Sequence, residues 1–218
     1  MLSRVGIERV DIERVDIERV DIEMLVLAAE PHACVSVDTA SGAFVRARYP
    51  EGAFARLAPL DLATAELAAP ATPVDATRPE LVDLAAAPRR VGRLAGRRAE
   101  RLLRPLHHPR GRPLLGFVGP AVRFWTLTGD RPSVAIVEPE RGPRLRPTDH
   151  GYECHFEWRG LRHVLPLADR GAAAALDRWG PAHLSRVLGF RPGRLLVALS
   201  PPVNGYCYKV VAGLLPRR

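Results

Sequence analysis

The chain has 218 residues, 47% of them hydrophobic, and a formal net charge of +8 at pH 7. That length suits one large or two small domains, and the apolar share is that of a chain with a packed core. No apolar run approaches the ~18 residues a membrane helix needs, and the charged N-terminus lacks the apolar core of a secretory signal, so the expected compartment is the cytoplasm.

Residues 9–23 read Arg-Val-Asp-Ile-Glu three times. A period of five matches neither the strand period of 2 nor the helix period of 3.6, so no apolar face forms, and so short a helix is marginal alone. Two readings stand: a disordered leader 1–23 upstream of a start at Met24, or a partner-binding extension. From Met24 the texture changes. The apolar run 24–29 reads as a buried strand. Segments 34–38 and 43–49 alternate around the turn residues 39–42, which predicts a hairpin. Stretch 60–68 reads as another strand, and Pro70 and Pro73 mark a break. Thr77, followed by Pro79 and Glu80, reads as the capping box of a short helix that ends before Pro88.

Segment 89–112 holds Arg89, Arg90, Arg93, Arg97, Arg98, Arg101, Arg104, Arg110 and Arg112 against one acid, Glu100. It carries the whole net charge, and the remainder of the chain is balanced. A local basic patch is the electrostatic footprint of a nucleic-acid site; a solvated linker helix is the alternative. Within it, 96–103 predicts two helical turns stopped by Pro105, and 107–112 a loop. Strands are expected at 114–118, 122–127 and 133–138. A hairpin follows over 151–167 with Arg159-Gly160 as its two-residue loop. That loop sets Trp158 opposite Leu161, Glu157 opposite Arg162, Phe156 opposite His163 and His155 opposite Val164. Residues 171–179 predict a helix, and 194–199 and 206–215 strands joined by the turn 201–205. Short strands with frequent turns suggest small barrels or sandwiches rather than a parallel sheet.

Residues 204–215 (Asn-Gly-Tyr-Cys-Tyr-Lys-Val-Val-Ala-Gly-Leu-Leu), preceded by 194–200 (Arg-Leu-Leu-Val-Ala-Leu-Ser), resemble the closing hairpin of bacterial dual OB-fold domain proteins. Segments 24–29, 34–38 and 44–46 are similar to that family's opening strands. Residues 77–80 fall where the family carries a polar segment between its barrels. The resemblance spans 24–215. It implies a mainly β fold with a few short helices: two small OB-like antiparallel barrels, 24–75 and 113–218, joined by a helical, arginine-rich linker, 76–112. It also implies a role in binding nucleic acid or nucleotide.

An OB surface binds single strands when cations track phosphates and aromatic rings stack bases. Strand alternation puts Phe44, Arg46 and Arg48 on one side of 43–49. Arg97, Arg98, Arg101 and Arg104 are the helical part of the basic patch. Tyr206 and Tyr208 share a face of the last strand, with Lys209, the chain's one lysine, pointing the other way beside Cys207. The odd number and wide spacing of Cys34, Cys154 and Cys207 argue against a disulfide framework. Asp149, His150, Glu153, Cys154, His155, Glu157 and His163 are dense in metal-ligating groups, but alternation sends Cys154 and His155 to opposite faces, so no metal and no cofactor is expected. Ser185 follows His183 by two residues without a third orienting group, and no phosphate loop, dinucleotide motif or nucleophile elbow occurs. The expected function is therefore a non-catalytic module binding single-stranded DNA or RNA, with no membrane partner. The alternative is a protein-interaction component of a larger assembly.

Overall fold

The computed structural model describes residues 21–30, 33–50, 52–68, 75–129 and 131–217. The repeats up to residue 20 and the break at Pro70 and Pro73 lie outside the described residues. Among the described residues the chain is mainly β, with curled sheets and three short helices. Strands β1 (Asp21–Ala29), β2 (Ala33–Asp38), β3 (Phe44–Arg48), β4 (Asp61–Glu66), β5 (Leu81–Asp83) and β6 (Arg89–Arg93) form one sheet in the order β5-β3-β2-β1-β4-β6. All its pairs are antiparallel except β3 with β5. β1 pairs with β4 through its first half and with β2 through its second, and its register to β2 shifts between Val26 and Ala28. The sheet is curled. Leu67, just past β4, bridges Leu84, just past β5, and Ala85 N–H donates to the Glu66 carbonyl at 2.8 Å. Met24, Val26, Cys34, Ala47, Phe54 and Ala63 fill the curl.

Helix α1 (Gly96–Leu103) leads into the second half, which comprises β7 (Ala121–Arg123), β8 (Val134–Val137), β9 (Arg144–Thr148), β10 (Gly151–Trp158), β11 (Leu161–Pro166), α2 (Arg170–Trp179), α3 (Leu184–Leu188), β12 (Pro192–Leu199) and β13 (Tyr206–Pro216). These strands make two sheets, β7-β13-β12-β8 and β11-β10-β9. A parallel bridge from Leu167 to Val211 joins them. Between them lie Phe156, Trp158, Leu165, Leu195, Val197 and Leu214, with Ala172 and Leu176 of α2. Asp169 caps α2 by accepting from Ala172 N–H at 2.9 Å, and burial raises its carboxyl above the usual range.

Continuous apolar runs mark strands buried on both faces, which accounts for β1 and β12. Leu25 and Leu27 of β1 and Leu196 and Ala198 of β12 belong to a third apolar layer between the halves, with Val35, Val37, Ile136 and Leu215. Ala99 and Leu103, four residues apart on α1, enter the same layer. The halves touch closely at Gly213, where an added Cβ would lie 2.9 Å from the Ala28 Cβ and 3.3 Å from the Leu27 carbonyl oxygen.

Several sequence expectations need correction. No helix forms after Thr77: its N–H and hydroxyl both bond Asp75 (2.9 and 2.6 Å), and residues 81–83 become β5. Parallel pairing with β3 there overrides the local capping signal, as tertiary context does with weak propensities. Expected strand 114–118 is instead a 3₁₀ turn, Leu114–Gly116, with Leu115 left-handed at φ 54°. Expected strand 122–127 ends at Arg123 and continues as the 3₁₀ turn Phe124–Thr126. β1 starts at Asp21 rather than Met24, pairing Asp21, Ile22 and Glu23 with Glu66, Ala65 and Thr64. β6 draws Arg89, Arg90 and Arg93 out of the expected linker and into the first sheet. The β10–β11 hairpin has the expected register throughout. Among the described residues no helix is long and apolar enough to cross a membrane.

Candidate nucleic-acid interface

Phe44, Arg46 and Arg48 do share one side of β3, but that side is already occupied. Phe44 packs on the layer between the halves. Arg46 Nε lies 3.1 Å from Glu80 Oε1; burial lowers its pKa and Glu80 opposes that shift. Glu80 also accepts from the Ser133 hydroxyl. Arg48 makes a two-pronged pair with Asp83 at 2.6 and 2.9 Å, which holds the Asp83 carboxyl below its ordinary value. Arg97, Arg98 and Arg101 of α1, and Arg104 just past its end, are all exposed. Tyr206 and Tyr208 face solvent together. Lys209, expected among the binding cations, is instead 3% exposed on the opposite face with Cys207. Its Nζ donates to the Phe117 carbonyl at 2.7 Å and lies 4.0 Å from the Phe117 ring centre. It therefore cannot act with the tyrosines.

A basic face that the sequence reading passed over lies on β9, β10 and β11. Cys154, Phe156 and Trp158 point into the core, so alternation turns Glu153, His155 and Glu157 outward. The register places Arg144 opposite His155, Arg146 opposite Glu153 and Arg162 opposite Glu157. Arg141, Arg144, Arg146, Arg162, His155 and Glu157 line an open concavity of about 480 Å³. Glu157 pairs with Arg141 at 3.7 Å rather than with Arg162 across the strand, and Glu153 lies 3.4 Å from His155 Nε2. Arg144, Arg146 and Arg162 enter no ion pair among the described residues. Across β9 a second concavity of about 510 Å³ is lined by Arg141, Arg144 and Arg191.

An aromatic ledge stands where β7 meets β13. Trp125 is 60% exposed. Its ring centre lies 5.3 Å from Phe124 and 6.5 Å from Tyr206, which is 6.5 Å from Tyr208. The Arg123 guanidinium sits 5.8 Å from the Trp125 centroid. Gly205 makes the ledge possible: its φ is +83°, and a Cβ there would approach the Trp125 ring to 3.1 Å. The sequence signals were present, as Arg144-Leu-Arg146 alternates and Arg123-Phe-Trp125 joins a cation to two rings. A strand over 122–127 would have split Phe124 from Trp125; the 3₁₀ turn leaves both in solvent.

Comparison with protein-family models, curated proteins and solved structures finds no match to this chain. Chemically, the site offers cations and rings. Among the described residues no three His, Cys, Asp or Glu side chains group as metal ligands. All three cysteines are buried and free, and burial pushes the Cys34 and Cys154 thiols up to about 12, so neither supplies a thiolate near neutral pH.

Proposed function

We propose that this chain binds single-stranded nucleic acid through two OB-type barrels, with the outer face of β9–β11 as the principal contact. The carrying observation is the set Arg144, Arg146 and Arg162, exposed on the two strands that flank β10 and without ion-pair partners among the described residues. The strand order supports the fold assignment. In the first half the order runs β1-β2-β3-β5-β4 and returns to β1, with β3 and β5 parallel. The second half repeats the plan. β8 and β9 serve as one interrupted first strand, pairing with β12 and β10, and β13 meets the end of β11 in parallel. Helices α2 and α3 lie between the third and fourth strands. Five-stranded Greek-key barrels of this kind bind oligonucleotides on the face of strands 2 and 3 and on nearby loops. Those strands are β10 and β11 in the second half. In the first half the same face is taken up by Glu80, Asp83 and the second sheet. The ledge of Trp125, Tyr206 and Tyr208 adds stacking surface, worth roughly 1–3 kcal/mol per stacked base.

The test is fluorescence anisotropy with labelled 20-nucleotide oligo-dT, oligo-rU and a duplex of equal length, from 50 to 300 mM salt. Single strands should bind more tightly than the duplex. Replacing Arg144, Arg146 and Arg162 with Gln should weaken binding at least tenfold and reduce the salt slope by about 2, at ~0.7 per lost phosphate contact. Replacing Arg97, Arg98, Arg101 and Arg104 should do less. Absence of salt-dependent binding, or a triple variant that binds as wild type, refutes the proposal.

A further inference from the structure

β11 and β13 meet at the Leu167–Val211 bridge, and they diverge towards Leu161 and Tyr206. The segment preceding β7 covers the gap, leaving a cavity of about 430 Å³. Phe117, Trp158, Leu161 and Val164 supply apolar walls, and His163 and Lys209 supply the nitrogens. Arg159 and Arg162 also line the cavity, and among the described residues no acidic side chain does.

Among the described residues Lys209 is a buried cation without a counter-ion. An ammonium has three donors, and the partners found for this one are a carbonyl and a ring face, both of Phe117. No ion pair among the described residues includes it. Burying a charge is unfavourable unless a partner compensates it. His163 stacks on Phe156 at 5.1 Å, and its Nε2 is buried with no hydrogen-bond partner. Two under-satisfied nitrogens, apolar walls and no acid specify a complementary molecule: an anionic head of one or two oxygens on an uncharged, flat or chain-like body.

We propose that this cavity binds a small monocarboxylic acid, its carboxylate on Lys209 and His163 and its apolar body against Phe117, Trp158, Leu161 and Val164. The site faces away from the tyrosines of β13 and shares Arg162 and Val164 with the edge of the concavity on β9–β11. Burial lowers the Lys209 amine to about 8, so it is mostly an ammonium at neutral pH, and a bound carboxylate would raise that value again.

Because Lys209 is the one lysine, protein labelled with ¹³C-lysine gives a single Cε signal that reports this site directly. Phenylacetate and octanoate, each at millimolar concentration and pH 7, should shift that signal, move its titration midpoint upward and raise the melting temperature. Phenylacetamide, the neutral isostere, should bind at least tenfold more weakly. Lys209→Met keeps an apolar stem of similar length and should lose the acids at least tenfold. If neither acid moves the lysine signal, if the amide binds as well as phenylacetate, or if a folded Lys209→Met binds them like wild type, the proposal is wrong. The lysine signal decides the matter in wild-type protein alone should the variant fail to fold.

Discussion

Lys209 ties one buried nitrogen to the pH dependence of the whole fold. Its amine titrates at about 8 in the folded chain against 10.5 for an unperturbed lysine. Between these values the unfolded chain binds more protons, so stability rises with pH across that window and the burial cost is fully present below it. His163 and His108 face the amine, and burial lowers both, so they stay neutral there; Arg159 and Arg162 line the same cavity. Relative to Lys209→Met, wild-type stability should therefore gain on the order of 3 kcal/mol from below pH 8 to above pH 10.5. Urea unfolding of both proteins from pH 7.5 to 10 checks the sign, and a constant difference would mean a solvated amine. Alternation in the sequence already placed Lys209 with Cys207 and away from the tyrosines. Its burial was not legible, because the covering residues 113–120 were read as mostly strand and their Phe117 carbonyl had no assigned position.

At the scale of elements, legibility followed local geometry. The β10–β11 register could be read residue by residue because a two-residue loop fixes it; Arg159 and Gly160 both have positive φ, at 59° and 68°. Helix α1 was legible for the same reason, with Pro105 stopping a short run. Elements whose partners come from far along the chain are not legible locally: the sequence alone predicts a helix where β5 forms and linker where β6 forms. The start of β1 has a measurable consequence. Ile22 is half-buried against the first core, and Thr39 N–H and hydroxyl both bond Glu23 (2.9 and 2.8 Å). A chain beginning at Met24 should lose roughly 1–3 kcal/mol relative to one beginning at Asp21, seen as a lower midpoint in thermal unfolding. Equal midpoints would show that the three residues contribute nothing.

The whole molecule is held by the layer that both halves share. The β-rich character and the division into two clusters of short strands are legible in composition and turns, whereas β5, β6 and β9 are not. The layer is not legible either, since an apolar run says that both faces are covered without saying by what. Nor is the free arginine face, because separating Arg144, Arg146 and Arg162 from their neighbouring acids requires the three-dimensional pairing of Arg141 with Glu157. Unfolding should be one transition. Trp125, Trp158 and Trp179 all lie in the second half, so tryptophan fluorescence reports that half while far-ultraviolet circular dichroism reports both. The two melting curves should coincide in wild type. Gly213→Val, which forces a branched side chain against Ala28, should lower the midpoint by several degrees, since overpacking costs about 1–3 kcal/mol. Separate wild-type transitions would show that the halves are independent.

The shared layer also sets a clock during synthesis. The first sheet has all its strands once Arg93 is made, yet the layer over Leu25, Leu27, Val35 and Val37 receives only α1 and β8 before β12 and β13 emerge to complete it. At about 5–20 residues per second, the roughly 120 intervening residues leave that apolar face incompletely covered for about 6–24 s. Translation speed over residues 94–216, rather than the equilibrium stability of the finished fold, then governs how much chain escapes aggregation.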